Sequence, residues 1–244
     1  MRMNNNILLI ETATDACSAA ITDGNGIISS YRTSEPKSQA SGLAPMIQKV
    51  MNEAGLSAKE LSAVAVSSGP GSYTGLRVGV STAKGICFGA GLPLIAVETL
   101  EAIACKILGS TDISADTLII PMIDARRMEV YTALFDSSGH RISDTKAVIL
   151  EPDTFAGKIS EYGHLIFTGD GAGKYRQVIN PEYLDRCTFI ASHPDAAYMA
   201  EPACRAYKEK RFEDVAYFEP FYLKEFIAAS PSRKLDAVLH PDRS

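Results

Sequence analysis

Apolar positions along the chain follow two different periods. Ile7, Leu8, Leu9 and Ile10 form a four-residue apolar run that stops at Glu11 and reads as a buried strand. Residues 16–22 and 27–33 read as two more strands. Asp23, Gly24, Asn25 and Gly26 between them predict a hairpin turn, because Gly and Asn tolerate positive φ. From Ser41 the period lengthens. Leu43, Met46, Ile47, Val50, Met51 and Ala54 lie on one apolar face of a helix that Gly55 stops. Residues 63–66 then read as a strand, followed by a glycine-rich turn and a helix to about 88. A strand at 93–97 and a helix to about 108 close this half.

The same order returns after a break at residues 109–112. Residues 118–123 read as a strand ending at Asp124, residues 129–135 as a second and 141–150 as a third, with a turn at 136–139. A short helix from about 152, a strand at 165–168 and the turn Gly169-Asp170-Gly171-Ala172-Gly173 follow. Glu11 to Asp23 and Asp124 to Asp136 span the same interval. This predicts a duplicated α/β fold of the two-lobed actin-like, ribonuclease-H-like (ASKHA) type, with a cleft between the lobes. The expected lobes are residues 1–110 and 111–224. Residues 225–244, with Ser230-Pro231-Ser232, form a tail expected to be flexible.

Composition narrows the function. With 24 Lys+Arg against 29 Asp+Glu the net charge is −5, so no basic face for gripping nucleic acid is expected. No apolar stretch reaches membrane-spanning length, and the apolar run near the start is too short for an export signal, so a cytoplasmic protein is expected. Cys17, Cys87, Cys105, Cys187 and Cys204 show no CxxC spacing and read as small buried hydrophobes rather than disulfides. His140, His164, His193 and His240 form no HxxxH pair, so no helical zinc site is expected.

Candidate chemistry gathers at two pairs of turns. Glu11-Thr12-Ala13-Thr14-Asp15 and Asp124-Ala125-Arg126-Arg127 stand where an actin-like phosphotransferase carries Asp-x-Gly phosphate loops. Both acids are present and both glycines are missing, which argues against ATP hydrolysis. Gly69-Pro70-Gly71-Ser72-Tyr73-Thr74-Gly75 enters a helix, an anion-binding geometry, but matches neither a dinucleotide fingerprint nor a P-loop. A tight strand-to-helix turn is the favoured reading of it, and the same holds for Gly169–Gly173. Anion or nucleotide contacts, if made, fall to Glu11, Gly71, Asp124, Arg126 and Gly171. The helix after Gly75 carries two stripes of small residues, Gly75, Gly79 and Ala83, and Ser81, Gly85 and Gly89, with Val78, Thr82 and Ile86 beside them. One stripe is expected to pack on the chain's own sheet and the other to admit a partner backbone. Gly79→Leu is expected to block that contact and leave the fold intact.

Four stretches carry a family resemblance: residues 7–18, residues 68–79 around Gly-Pro-Gly-Ser-Tyr-Thr-Gly, residues 123–131, and Glu219-Pro-Phe-Tyr-Leu-Lys224. They resemble the TsaB (YeaZ) family of bacterial tRNA threonylcarbamoyladenosine biosynthesis proteins. The resemblance implies a non-catalytic subunit that stabilises TsaD, the transferase acting at tRNA position 37. The metal-binding His pair that the resemblance assigns to TsaD is replaced here by Ser38-Gln39-Ala40-Ser41. Also implied are work alongside TsaE and a TsaC-type enzyme, tRNA contact through the complex, and a homodimer when alone. No intrinsic cofactor is expected, with ATP or ADP at the partner interface. The first two helices become the interface, with Leu43, Met46, Ile47, Val50, Gly75, Val78, Gly79, Thr82, Ala83 and Ile86 as candidates. The alternative is a stand-alone magnesium-nucleotide kinase or hydrolase using Asp124 or Glu11.

Overall fold

The computed structural model describes residues 5–33, 39–109 and 113–223. The first half contains β1 (Ile7–Glu11), β2 (Cys17–Thr22), β3 (Ile27–Thr33), α1 (Gln39–Ala54), β4 (Ala63–Gly69), α2 (Tyr73–Ala90), β5 (Leu94–Glu98) and α3 (Thr99–Leu108). Its sheet has the order β3-β2-β1-β4-β5, with β2 antiparallel to both neighbours and β1, β4 and β5 parallel. Every residue of β1, β2 and β4 is buried, because the sheet is covered on both faces. Leu43, Met46, Val50 and Val80 from α1 and α2 pack on Leu8, Ile10, Val64 and Val66. Ile7, Leu9 and Ala65 on the other face meet Met199, Ala203 and Ala206. Strands buried on both faces lose the in-out alternation, which is why the sequence shows continuous apolar runs there.

The second half repeats the plan with β6 (Thr117–Asp124), β7 (Glu129–Thr132), β8 (Lys146–Ile149), α4 (Ala156–Glu161), β9 (His164–Thr168), α5 (Ala172–Val178) and β10 (Cys187–Ile190); α6 (Ala200–Lys208) comes after it. The sheet order β8-β7-β6-β9-β10 is that of the first half strand for strand. This is the two-lobed actin-like topology. Helix α3 joins the lobes: Leu100, Ile103, Ala104 and Ile107 pack on Ile119, Ile123, Phe135 and Ile166 of the second sheet. Phe155, Phe167, Tyr175 and Phe189 fill the far core with edge-to-face and stacked rings.

Three details depart from the sequence pattern. Strand β7 ends at Thr132, and Phe135 makes separate bridges to Ile119 and Arg141. Strand β8 covers only the last part of residues 141–150, because the Asp136 carboxylate ties up the Ser138 and His140 N–H groups and holds the chain in a turn. Strand β10 and helix α6 are not marked by the apolar pattern. Residues 196–223, which follow the second half, pack on the first sheet. Glu213 N–H donates to the Leu94 carbonyl and Phe221 N–H to the Ser68 carbonyl. Ser38, the first residue of the stretch that replaces the His pair, and the tail after Leu223 lie outside the described residues. No helix among the described residues is long and apolar enough to cross a membrane.

Candidate functional site

Between the lobes lies a cleft of 760 Å³, lined from the first lobe by Thr14, Asp15, Gly71 and Tyr73 and from the second by Asp124 and Arg126. It forms where the ends of β1 and β6 face each other, so each of the two acid-ended turns contributes one wall.

On the first wall the glycine-rich loop is closed by the chain itself. The Ala13 carbonyl accepts the Ser72 N–H at 2.6 Å. A Cβ at Gly71 would collide with Ala13, and a Cβ at Gly75 or Gly79 would collide with Thr12. The glycines are there to seat the 12–13 turn against backbone, a close approach that a Cβ forbids. Ser72 caps α2, its Oγ accepting the Gly75 N–H at 3.3 Å. Two of the loop's donors, the Ser72 and Gly75 N–H groups, are therefore already engaged. Glu11 lies beneath this turn, fully buried, and does not reach the cleft. Its Oε1 accepts the Ala13 N–H at 2.5 Å, and its Oε2 has no hydrogen-bond partner among the described residues. Burial raises its pKa from 4.5 to about 7, against the lowering pull of the Ala13 N–H and the Ser67 hydroxyl.

The second wall keeps an acid in the open. Asp124 Oδ1 accepts the Arg126 N–H at 2.6 Å and the Lys174 ammonium at 2.6 Å. Asp170 Oδ1 accepts the Asp124 N–H at 2.9 Å. Burial first, with the Asp124 charge adding to it, holds the Asp170 carboxyl above its ordinary range. Arg126 and Arg127 have φ of 69° and 49°, so the turn keeps the left-handed backbone that glycine would adopt without strain. Gly171 does not face the cleft. Its N–H donates to the Met122 carbonyl at 3.1 Å, and a Cβ there would press on Val130. Of the five candidate anion contacts, Gly71, Asp124 and Arg126 come together in the cleft, while Glu11 and Gly171 stand apart. The glycine loop does not fit a phosphate, because Thr12 and Ala13 occupy the space in front of Gly71, Gly75 and Gly79. Among the described residues no group of three or more His, Cys, Asp or Glu could hold a metal ion.

The expected interface divides in two. Leu43, Met46, Ile47, Val50, Gly75, Gly79 and Ala83 are buried against the chain's own sheet and turn, not displayed on the surface. Gly79→Leu is corrected accordingly: the new side chain would drive into Thr12 and could not leave the fold intact. Val78, Thr82 and Ile86 are half-buried at the border. The other stripe is open. Ser81, Gly85 and Gly89 are exposed, nothing among the described residues lies within 4 Å of a Cβ built on Gly85 or Gly89, and Phe88 beside them is 87% exposed. Sequence reasoning missed Phe88, although its place at i+3 from Gly85 was the available signal. It also missed the strap of residues 213–223, which follows α2. Lys84 Nζ donates to the Ala216 and Phe218 carbonyls at 2.9 and 3.2 Å, and Tyr222 packs on Tyr73 with ring centroids 4.6 Å apart. Two of the four stretches that carry the resemblance, around residues 68–79 and 219–224, thus meet in space.

The family described as "TsaD: tRNA N6-adenosine threonylcarbamoyltransferase" matches residues 36–230. A tRNA threonylcarbamoyladenosine biosynthesis protein TsaB of Escherichia coli is 30% identical over 225 residues, covering 91% of this chain and 96% of the relative. The Bacillus subtilis protein of the same name is 29% identical over 223 residues, covering 89% and 93%. A crystal structure of YeaZ from Pseudomonas aeruginosa has a TM-score of 0.71 at 23% identity, covering 89% of this chain and 99% of that one. A second Pseudomonas aeruginosa protein, described as similar to peptidase YeaZ, has a TM-score of 0.75 at 24% identity, with 90% and 99% covered. The matches span about nine-tenths of this chain and of each relative, the fold is shared, and the chain belongs to the TsaB (YeaZ) family.

Proposed function

We propose that this chain is a non-catalytic subunit of the machinery that installs threonylcarbamoyladenosine at tRNA position 37, and that it acts by holding a TsaD-type transferase through the open flank of α2. The observation that carries the reading is the contrast within the site. The loop that would cradle a phosphate is filled by Thr12 and Ala13, whereas the outer flank of α2 offers Phe88 to solvent beside two glycines with free space above them. An exposed aromatic next to small residues is the anchor-and-groove pattern of protein interfaces. Homodimerisation when alone would use the same flank. TsaE and a TsaC-type enzyme complete the set, with tRNA reached through the complex and any ATP or ADP held at the partner interface.

Reconstitution of threonylcarbamoyl transfer tests this. With TsaD, TsaE and the TsaC-type enzyme present, adding the chain should raise transfer to adenosine 37 by more than tenfold, and Asp124→Ala should leave that effect intact. Equal transfer without the chain, or loss of the effect in Asp124→Ala, contradicts the reading.

A further inference from the structure

We propose that Glu11 is a positioning residue for α2: its carboxyl holds the 12–13 turn against the glycine seat of the helix, and its protonation state sets how firmly that helix is held. Only the last step, from helix to partner, rests on the function proposed above.

The contacts form a short chain. Glu11 Oε1 accepts the Ala13 N–H at 2.5 Å, and the carbonyl of the same Ala13 accepts the Ser72 N–H at the start of α2. Thr12 N–H donates to Ser67 Oγ at 3.2 Å, and Thr12 fills the space in front of Gly75 and Gly79. Movement of the carboxyl therefore reaches the first two turns of α2 through two residues that have no slack. The neighbouring elements bring few charges. Asp195 precedes the 3₁₀ turn Ala196–Met199 and adds its repulsion, with Arg32 of β3 at 3.8 Å on its far side. Tyr198 lies in that turn. Cys17 on β2 is pushed up to about 12 by burial and then by Glu11, so it stays a neutral thiol. The inward residues of α2, Gly75, Leu76, Gly79 and Val80, do not titrate. Among the described residues no lysine or arginine pairs with Glu11.

A buried carboxylate without a cation is costly and is relieved by access to water. Water lies on the cleft side of the turn, which Ala13 and Thr14 line. Ionisation therefore pushes the turn away from α2, and protonation seats it. With the carboxyl titrating at about 7, the two states exchange across the neutral range.

Hydrogen exchange of the α2 amides at residues 74–80 tests the coupling on the full chain between pH 6 and 8, with rates corrected for their intrinsic pH dependence. Wild-type protection should fall about tenfold across a midpoint near 7. Glu11→Gln should stay protected throughout. Ser67→Ala should move the midpoint to higher pH, because the lost hydroxyl favours the charged form, and this comparison carries the test if Glu11→Gln fails to fold. A wild-type profile without a midpoint in that range, or the same profile in Glu11→Gln, overturns the proposal. With the proposed TsaD partner added, affinity should be lower at pH 8 than at pH 6 in wild type and level in Glu11→Gln. Normal association of Phe88→Asp marks failure of the partner reading instead, and leaves the exchange result standing.

Discussion

The two turns that close β1 and β6 occupy equivalent places in equivalent sheets, yet they are built in opposite ways. At the end of β1 the acid is buried, has no cation among the described residues, and lies under a turn sealed by glycines. At the end of β6 the acid is exposed, held by Lys174 and by the Arg126 N–H, and its turn is carried by two arginines at positive φ. Topology alone does not set chemistry. What differs is burial. The first turn has been absorbed into the packing of α2, and the second remains a polar wall of the cleft.

The largest expected effect comes from reopening the sealed turn. Gly79→Leu should cost at least about 3 kcal/mol or prevent folding, since Thr12 backs directly onto Gly79 and core overpacking is expensive. In the second lobe, Gly173 in the first turn of α5 has no atom of the described residues within 4 Å of an added Cβ. Gly173→Ala should therefore change stability by no more than about 0.5 kcal/mol. Denaturant unfolding compares them, and an equal response from both positions would erase the contrast.

Next in size is the buried acid. The folded protein keeps a proton on Glu11 up to a pH of about 7, whereas its ordinary pKa is 4.5. Between those values the unfolded chain has released the proton and the folded chain has not, so stability declines as pH rises. The loss is about 1.4 kcal/mol per pH unit, about 3 kcal/mol in all, and is complete above pH 7. Glu11→Gln should therefore melt higher than wild type at pH 8, by roughly 6–12 °C, and the gap should close by pH 5. A pH-independent gap contradicts the burial account.

The smallest effect belongs to the exposed acid. Lys174→Met removes the cation from Asp124, and with Asp124 41% exposed the change should stay within about 1 kcal/mol. A much larger loss in thermal melting would mean that the second wall is as tightly built as the first.

Much of this was legible in the chain. The periods of residues 7–10 and 43–54, the Gly24 and Gly55 punctuation, and the repeated interval from acid to turn gave both lobes and their order. Strand β10 escaped because three of its four residues are half-buried, Thr188 is exposed and no alternation marks it, and the strap because its contacts, such as Lys84 with Ala216 and Tyr222 with Tyr73, join residues far apart in sequence. At the site, the glycine stripes were visible, but which one faced inward was not. That depends on Thr12 and Ala13, more than sixty residues away from Gly79. The burial of Glu11 was hidden for a related reason: a strand-end acid looks the same in sequence whether the next residues fold over it or open to water.

The flank of α2 that the first turn leaves exposed is where the account is most directly tested. Association of the chain with a TsaD-type partner, measured by titration calorimetry for wild type and Phe88→Asp at pH 6, decides it. Phe88 is 87% exposed, so the variant should fold and melt like wild type while its affinity falls by about a hundredfold or more, as for an interface hot spot. Unchanged affinity with an intact fold would contradict the claim that this flank is the working surface of the molecule.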